Sequence, residues 1–168
     1  MTSIPAHGEN LPLVLHTRPA LDISSEQFYE FRLINREWRI ERTAEGDLRI
    51  MAPAGGGTGS PNVLITPFLT NGALQDGRGI PFDSSTGFTL SNETTRFPDA
   101  AWVKRSRLAA LFAEQKEKLL PLCPDFVLER SPSDDPATRQ EKMQGYLDNG
   151  AQLGSLIDPF RRCVSVYR

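Results

Sequence analysis

Two short apolar runs, Phe97-Pro98-Asp99-Ala100-Ala101-Trp102-Val103 and Asp125-Phe126-Val127-Leu128-Glu129, each carry a carboxylate at an end. An acid that begins or ends an otherwise buried strand sits at the rim of a sheet, half in water. Two such acids from neighbouring strands can share one divalent cation through hard oxygen ligands. Asp99 and Glu129 are therefore candidate metal ligands. A charged strand end also has a plainer use, keeping the terminus solvated, and the pattern by itself leaves both roles open. The two cysteines, Cys123 and Cys163, lack the paired spacing of a zinc site or a disulfide framework. Both read as reduced thiols, as in a cytoplasmic protein.

The elements that would position these acids follow from periodicity. Ser24-Ser25-Glu26 is a helix start, and Phe28, Phe31 and Ile34 form an apolar stripe, which predicts a helix over 24–35. Trp38 and Ile40 alternate with Arg39 and Glu41, and Leu48-Arg49-Ile50-Met51 alternates again after the turn residues Ala44-Glu45-Gly46-Asp47. This is a hairpin, with Glu41 near its turn. Pro53 to Ser60 is rich in glycine and predicts a flexible turn; without a Lys-Ser/Thr ending it is not a nucleotide-hydrolase phosphate loop.

Residues 62–75 have helical spacing, with Leu64, Phe68 and Leu74 on one side, but Pro67 should kink or break this helix unless tertiary packing holds it. Gly79–Asp83 and Gly87–Leu90 predict short strands, and Ser106–Leu120 a helix with Leu108, Leu111 and Phe112 inside. After a Ser-Pro-rich loop at 131–136, Thr138–Asp148 predicts a helix closed by Asn149-Gly150, with Met143, Tyr146 and Leu147 buried. Lys142, four residues before Tyr146, lies at the edge of that stripe, where it can lean across the sheet end or snorkel to water. Two final strands, Leu153–Ile157 and Cys163–Tyr167, complete an α/β or α+β pattern with a mixed central sheet flanked by helices.

With 168 residues, 39% hydrophobic and 24% charged, the chain fits one globular domain, here 21–168 behind an N-terminal extension at 1–20. A net charge of -2 argues against coating nucleic acid by charge alone. Local basic runs remain at Arg36, Arg39 and Arg42 and at Lys104, Arg105 and Arg107, and such runs commonly form solvated faces. No apolar run approaches the ~20 residues of a membrane span, and no export signal is evident, so a cytosolic location and no membrane partner are expected.

Several motifs occur in a telling order: Glu41, Gly55-Gly56-Gly57-Thr58-Gly59, Phe82-Asp83-Ser84-Ser85-Thr86-Gly87-Phe88, Pro98-Asp99-Ala100, Cys123-Pro124-Asp125-Phe126-Val127-Leu128-Glu129 with Ser131-Pro132-Ser133-Asp134, Lys142-Met143 through Tyr146 to Asn149-Gly150-Ala151, and Leu156-Ile157-Asp158-Pro159. Together they resemble the bacterial putative restriction endonuclease family of the PD-(D/E)xK nuclease superfamily, over roughly residues 20–168. The resemblance implies a restriction-endonuclease-like mixed sheet flanked by helices and a site dependent on Mg²⁺ (or Mn²⁺) that hydrolyses DNA phosphodiester bonds. It assigns Asp99 and Glu129 as metal ligands, Lys142 as the catalytic lysine moved onto the following helix, and Glu41 as a further catalytic acid.

The Glu129-Arg130-Ser131 connection is one residue shorter than is usual in that family. Because strand side chains alternate, the loss would turn Glu129 away from the site unless the loop absorbs it. The alternative to an active nuclease is thus an inactive homologue kept as a DNA- or protein-binding module. A homodimer fits an enzyme that cuts both strands, since two cuts need two sites.

Overall fold

The computed structural model describes residues 12–51, 56–130, 136–159 and 161–168, with side chains placed from Leu64 onward in its longest helix. Of the predicted glycine-rich turn, residues 53–55 lie outside these residues, as does the 131–135 loop, whereas residues 56–60 are helical instead and open that longest helix.

Helix α1 (Ser25–Ile34) starts where the sequence predicts, on a reciprocal cap. Gln27 N donates to the Ser24 hydroxyl, and Ser24 N donates to the Gln27 side chain. Phe28 is fully buried with Ile40 and Leu48, whereas Ile34, expected in the same stripe, is 80% exposed. The hairpin forms from β2 (Arg39–Arg42) and β3 (Leu48–Met51), with Gly46 at φ +98° closing its turn. Preceding them, β1 (Leu13–Leu15), from the stretch assigned to the extension, pairs antiparallel with β3. Buried Arg42 then ties this sheet to α1 and to a later turn, donating to the carbonyls of Ile23 and Glu93 and to the Ser25 hydroxyl.

Helix α2 (Gly56–Asp76) runs unbroken through Pro67. Pro67 is exposed, so its missing N–H and ring fall on the solvent side, while the opposite side packs on the sheet. The packed side is the Ile65, Leu69 and Ala73 stripe; Leu64, Phe68 and Leu74 are 62%, 75% and 71% exposed, contrary to expectation. Strands β4 (Gly79–Asp83), β5 (Phe88–Thr89), β6 (Thr95–Arg96) and β7 (Ala100–Lys104) follow.

The expected helix over 106–120 is instead two short helices, α3 (Arg105–Ala109) and α4 (Ala113–Lys116), with Phe112 77% exposed between them. The chain must leave helical geometry because Leu120 pairs with the β5 edge: its N–H donates to Gly87 O and its carbonyl accepts from Thr89 N. Strand β8 (Phe126–Arg130), helix α5 (Pro136–Asp148) and strands β9 (Leu153–Asp158) and β10 (Cys163–Tyr167) complete the chain. Gly150, at φ +102°, supplies the left-handed cap of α5.

The strands make two sheets. One, ordered β10-β9-β8-β7-β4, is mixed: β8 and β9 run parallel and the other pairs antiparallel. The other, β1-β3-β2-β6-β5, is antiparallel and brings the hairpin alongside the first. The principal core lies between the mixed sheet and its helices, where Val103, Val127, Met143, Tyr146 and Leu156 meet. Gly154 keeps β9 bare beneath α5, since a Cβ there would lie 2.4 Å from Met143 Cε. Among the described residues no helix is long and apolar enough to cross a membrane. Cys123 and Cys163 are both free.

Candidate active site

Strands β7 and β8 pair as Ala100 with Leu128 and Ala101 with Val127. Extending that register by one step sets Asp99 directly across from Glu129, the arrangement in which facing side chains approach most closely. The Asp99 carboxylate crosses the gap, accepting the Arg130 N–H at 2.7 Å. Along β8, Val127 and Glu129 share the buried face, so Glu129 points toward α5 and not into solvent. The short connection after Glu129 has therefore not turned this acid away from Asp99, Lys142 and Glu41.

Helix α5 supplies the groups that meet Glu129. Lys142 Nζ lies 2.8 Å from Glu129 Oε1, and the Tyr146 hydroxyl, one helical turn on, donates to the same oxygen at 2.9 Å. The i, i+4 spacing puts both on one face of the helix. Lys142 thus leans across the sheet end instead of snorkelling, and its Nζ is also 3.6 Å from Glu41 Oε1. Both contacts of Glu129 fall on Oε1, so Oε2 accepts no hydrogen bond among the described residues.

Glu41 arrives from β2 and is 2% exposed. Its Oε2 is held by Arg96 Nη1 at 3.0 Å and its Oε1 by the Phe97 N–H at 3.1 Å. Both oxygens are engaged by the protein, which suits a brace better than an open ligand. Arg39, on the same strand face, reaches between the acids at longer range, 3.9 Å from Glu41 and 3.8 Å from Asp99, while donating to the Phe97 carbonyl. In the sequence Arg39 stands out only as part of a basic run and Tyr146 only as a buried stripe residue, and Arg96 not at all. The period of two along β2 places Arg39 beside Glu41, and the helical period places Tyr146 beside Lys142; nothing local marks Arg96.

The three carboxylates respond differently to this setting. Burial alone would raise the Glu41 carboxyl, but Lys142, Arg96, Arg39 and the Phe97 N–H outweigh it and hold its pKa at about 2. For Glu129 burial prevails: helped by the Asp99 and Glu41 charges, it pushes the carboxyl upward against the pull of Lys142 and Arg39. Burial, with Glu129 and Glu41 nearby, also drives the Tyr146 phenol well above its ordinary value, so it remains a proton donor to Glu129. Glu129 is the strained member of the set.

Among the described residues, no three of His, Cys, Asp and Glu form a complete metal cage. The donor set suits a hard cation held by few protein groups: two facing carboxylates, one with an oxygen uncommitted, and a raised Glu129 pKa that added positive charge would relieve. Mg²⁺ is commonly bound by one or two carboxylates with water and substrate phosphate completing its shell.

Comparison with known proteins bears on the family and the fold. The model of the Uma2 family, described as "Putative restriction endonuclease", matches residues 25–168. A crystal structure of a putative nuclease belonging to DUF820, from Anabaena variabilis, superposes with a TM-score of 0.62 at 19% identity, covering 77% of this chain and 71% of that one. It shares the fold. No curated protein matches the chain.

Proposed function

Since the chain belongs to the Uma2 family of putative restriction endonucleases, we propose that it is a divalent-metal-dependent endodeoxyribonuclease that hydrolyses DNA phosphodiester bonds. The observation that supports this reading most is the convergence of Asp99 and Glu129, across one strand pair, with Lys142 2.8 Å from Glu129. Asp99 and Glu129 would hold Mg²⁺ or Mn²⁺. A cation bound there supplies Lewis acidity toward a phosphate oxygen and lowers the pKa of water.

The chain's own residues do the rest. Tyr146 fixes the Glu129 carboxylate by donating to Oε1, which leaves Oε2, without a hydrogen bond among the described residues, to the task of binding. Lys142, paired with both Glu129 and Glu41, orients the attacking water or stabilises the negative charge developing on phosphate. Glu41 fixes Lys142 and Arg96 and so holds the amine in place. A homodimer would provide the second site that double-strand cutting requires.

A rival reading has its own support. Among the described contacts, Arg39, Arg96 and Lys142 balance Glu41, Asp99 and Glu129 charge for charge without any dication. That balance suits an inactive homologue that binds DNA or protein. Nicking of supercoiled plasmid separates the two: the wild type should cut with Mg²⁺ or Mn²⁺ and stop with chelator, and Asp99→Ala should not cut. Absence of metal-dependent cutting by well-folded protein, or equal cutting by the variant, defeats the nuclease reading.

A further inference from the structure

The Phe97 residue has two sides. Its main chain serves the acid cluster, giving its N–H to Glu41 and its carbonyl to Arg39. Its ring faces away, into a separate cavity of about 320 Å³ between α1, the β4–β5 turn and the chain that follows α4. Arg32, Lys116 and Lys118 line this cavity, and Glu117 is the one acid among its lining residues.

Arg32 is the unusual group. Its guanidinium lies 4.1 Å above the centre of the Phe97 ring. Among the described residues it makes no ion pair and no hydrogen bond, and its Nε is buried without a partner. Burial lowers its pKa, and Tyr29 offsets this only in part. By contrast, Lys118 is paired with Glu26 at 3.2 Å and Glu114 at 3.6 Å.

A half-buried guanidinium is ordinarily matched by a carboxylate, because leaving charge desolvated and unpaired is costly. Here the local packing preserves the open space in front of it. Gly87 lets the Phe97 ring lie against the β4–β5 turn, since a Cβ there would meet Phe97 Cε1 at 2.5 Å and Leu119 Cδ2 at 2.4 Å. The ring in turn supports one face of Arg32, which leaves the donor edge of the guanidinium for a ligand. Thr86 also lines the cavity.

We propose that this cavity binds a phosphate oxyanion, with Arg32 as its main donor and Thr86 and Lys116 beside it. A planar guanidinium with several N–H donors matches phosphate geometry. Resting on the nuclease reading, the source would be a DNA phosphate next to the scissile one, since both sites hang on the Phe97 residue. A free phosphate offers the same chemistry.

Duplex binding by fluorescence anisotropy, with Ca²⁺ replacing Mg²⁺ to prevent cutting, distinguishes these sources. If DNA supplies the phosphate, Arg32→Gln weakens binding roughly tenfold at low salt, as expected for one charged hydrogen bond. It also reduces the log-log salt slope by about 0.9, the value for one lost phosphate contact, and Arg32→Lys restores most of that slope. If the source is free phosphate, inorganic phosphate raises the melting temperature of the wild type but not of Arg32→Gln, and the DNA slopes agree. Either result supports the site. Equal slopes together with equal responses to phosphate overturn it. Failure of the nuclease reading is separately visible, as plasmid left uncut in Mg²⁺ while the dependence on Arg32 persists.

Discussion

Replacing Glu41 by Gln tests whether this acid braces the site electrostatically. The amide keeps the shape and can still accept the Phe97 N–H, but it leaves Arg96, a buried partner 3.0 Å away, facing a neutral group. The carboxyl's pKa falls from an ordinary 4.5 to about 2, and each tenfold change in proton affinity is 1.36 kcal/mol, so the charge contributes about 3 kcal/mol. The sign follows from linkage. A depressed folded-state pKa gives stability that is present above 4.5 and lost as pH falls toward about 2. Urea unfolding of wild type and Glu41→Gln should therefore differ by about 3 kcal/mol at pH 7, or roughly 6–12 °C in Tm for a chain of this size. The gap should narrow steadily below pH 4.5. A difference under about 1 kcal/mol at pH 7, or one that persists unchanged in acid, would show that Arg96 and Lys142 do not depend on this charge.

Glu129→Gln should act in the opposite direction. Its carboxyl is raised by burial and by Asp99 and Glu41, so its contribution to stability is present below the unfolded pKa and lost as pH rises. The amide should therefore raise Tm at pH 7 while abolishing metal-dependent nicking; a lower Tm would contradict the strain assigned to this residue. Arg42→Lys should cost about 2–4 kcal/mol in urea unfolding, because an ammonium's three donors sit at one point, whereas Arg42 makes four hydrogen bonds from three separate nitrogens to Ile23, Ser25 and Glu93. An unchanged midpoint would place that network outside the folding energetics. Gly87→Ala should cost about 1–3 kcal/mol, since the new methyl overlaps both Phe97 and Leu119, and a neutral result would mean that the two side chains yield freely.

Much of the fold was legible because local and tertiary preferences agree. The Ser24 cap, the β2–β3 hairpin, the Asn149-Gly150 stop and the strands bearing Asp99 and Glu129 all lie where capping, alternation and turn chemistry place them. Agreement failed where a distant partner decided. The break between α3 and α4 comes from Leu120 joining the β5 edge, an event invisible in the helix-forming residues from 106 to 118. On α2 both Leu64-Phe68 and Ile65-Leu69 have helical spacing, and only contact with β4 and β7 selects the second. The acids and lysine of the site could be nominated from type and motif order. Their cationic partners could not, because Arg39 and Arg96 resemble ordinary strand arginines until the second sheet is folded beside the first.

That second sheet explains why the hairpin belongs to the site at all. The two facing carboxylates, one just before β7 and one on β8, repel each other, and the Asp99 charge is among the causes that raise the Glu129 carboxyl. The hairpin inserts Glu41 into this setting already bound to Arg96, and it brings Arg39 to within 3.8 Å of Asp99. Glu41 then shares Lys142 with Glu129, so the amine is held between one acid that is firmly ionised and another that is strained. In the proposed nuclease such an amine would shift toward a phosphate without leaving Glu41, and Glu129 would be available to hold a cation. Likewise Arg39, whose contacts to the acids are the longest among the described ones of the cluster, would turn to the substrate in the proposed nuclease and so leave the acids free to hold a dication. Arg39→Gln should accordingly tighten Mn²⁺ binding in calorimetry and yet weaken duplex binding in Ca²⁺. Weaker Mn²⁺ binding by that variant would instead assign Arg39 to holding the acids in place.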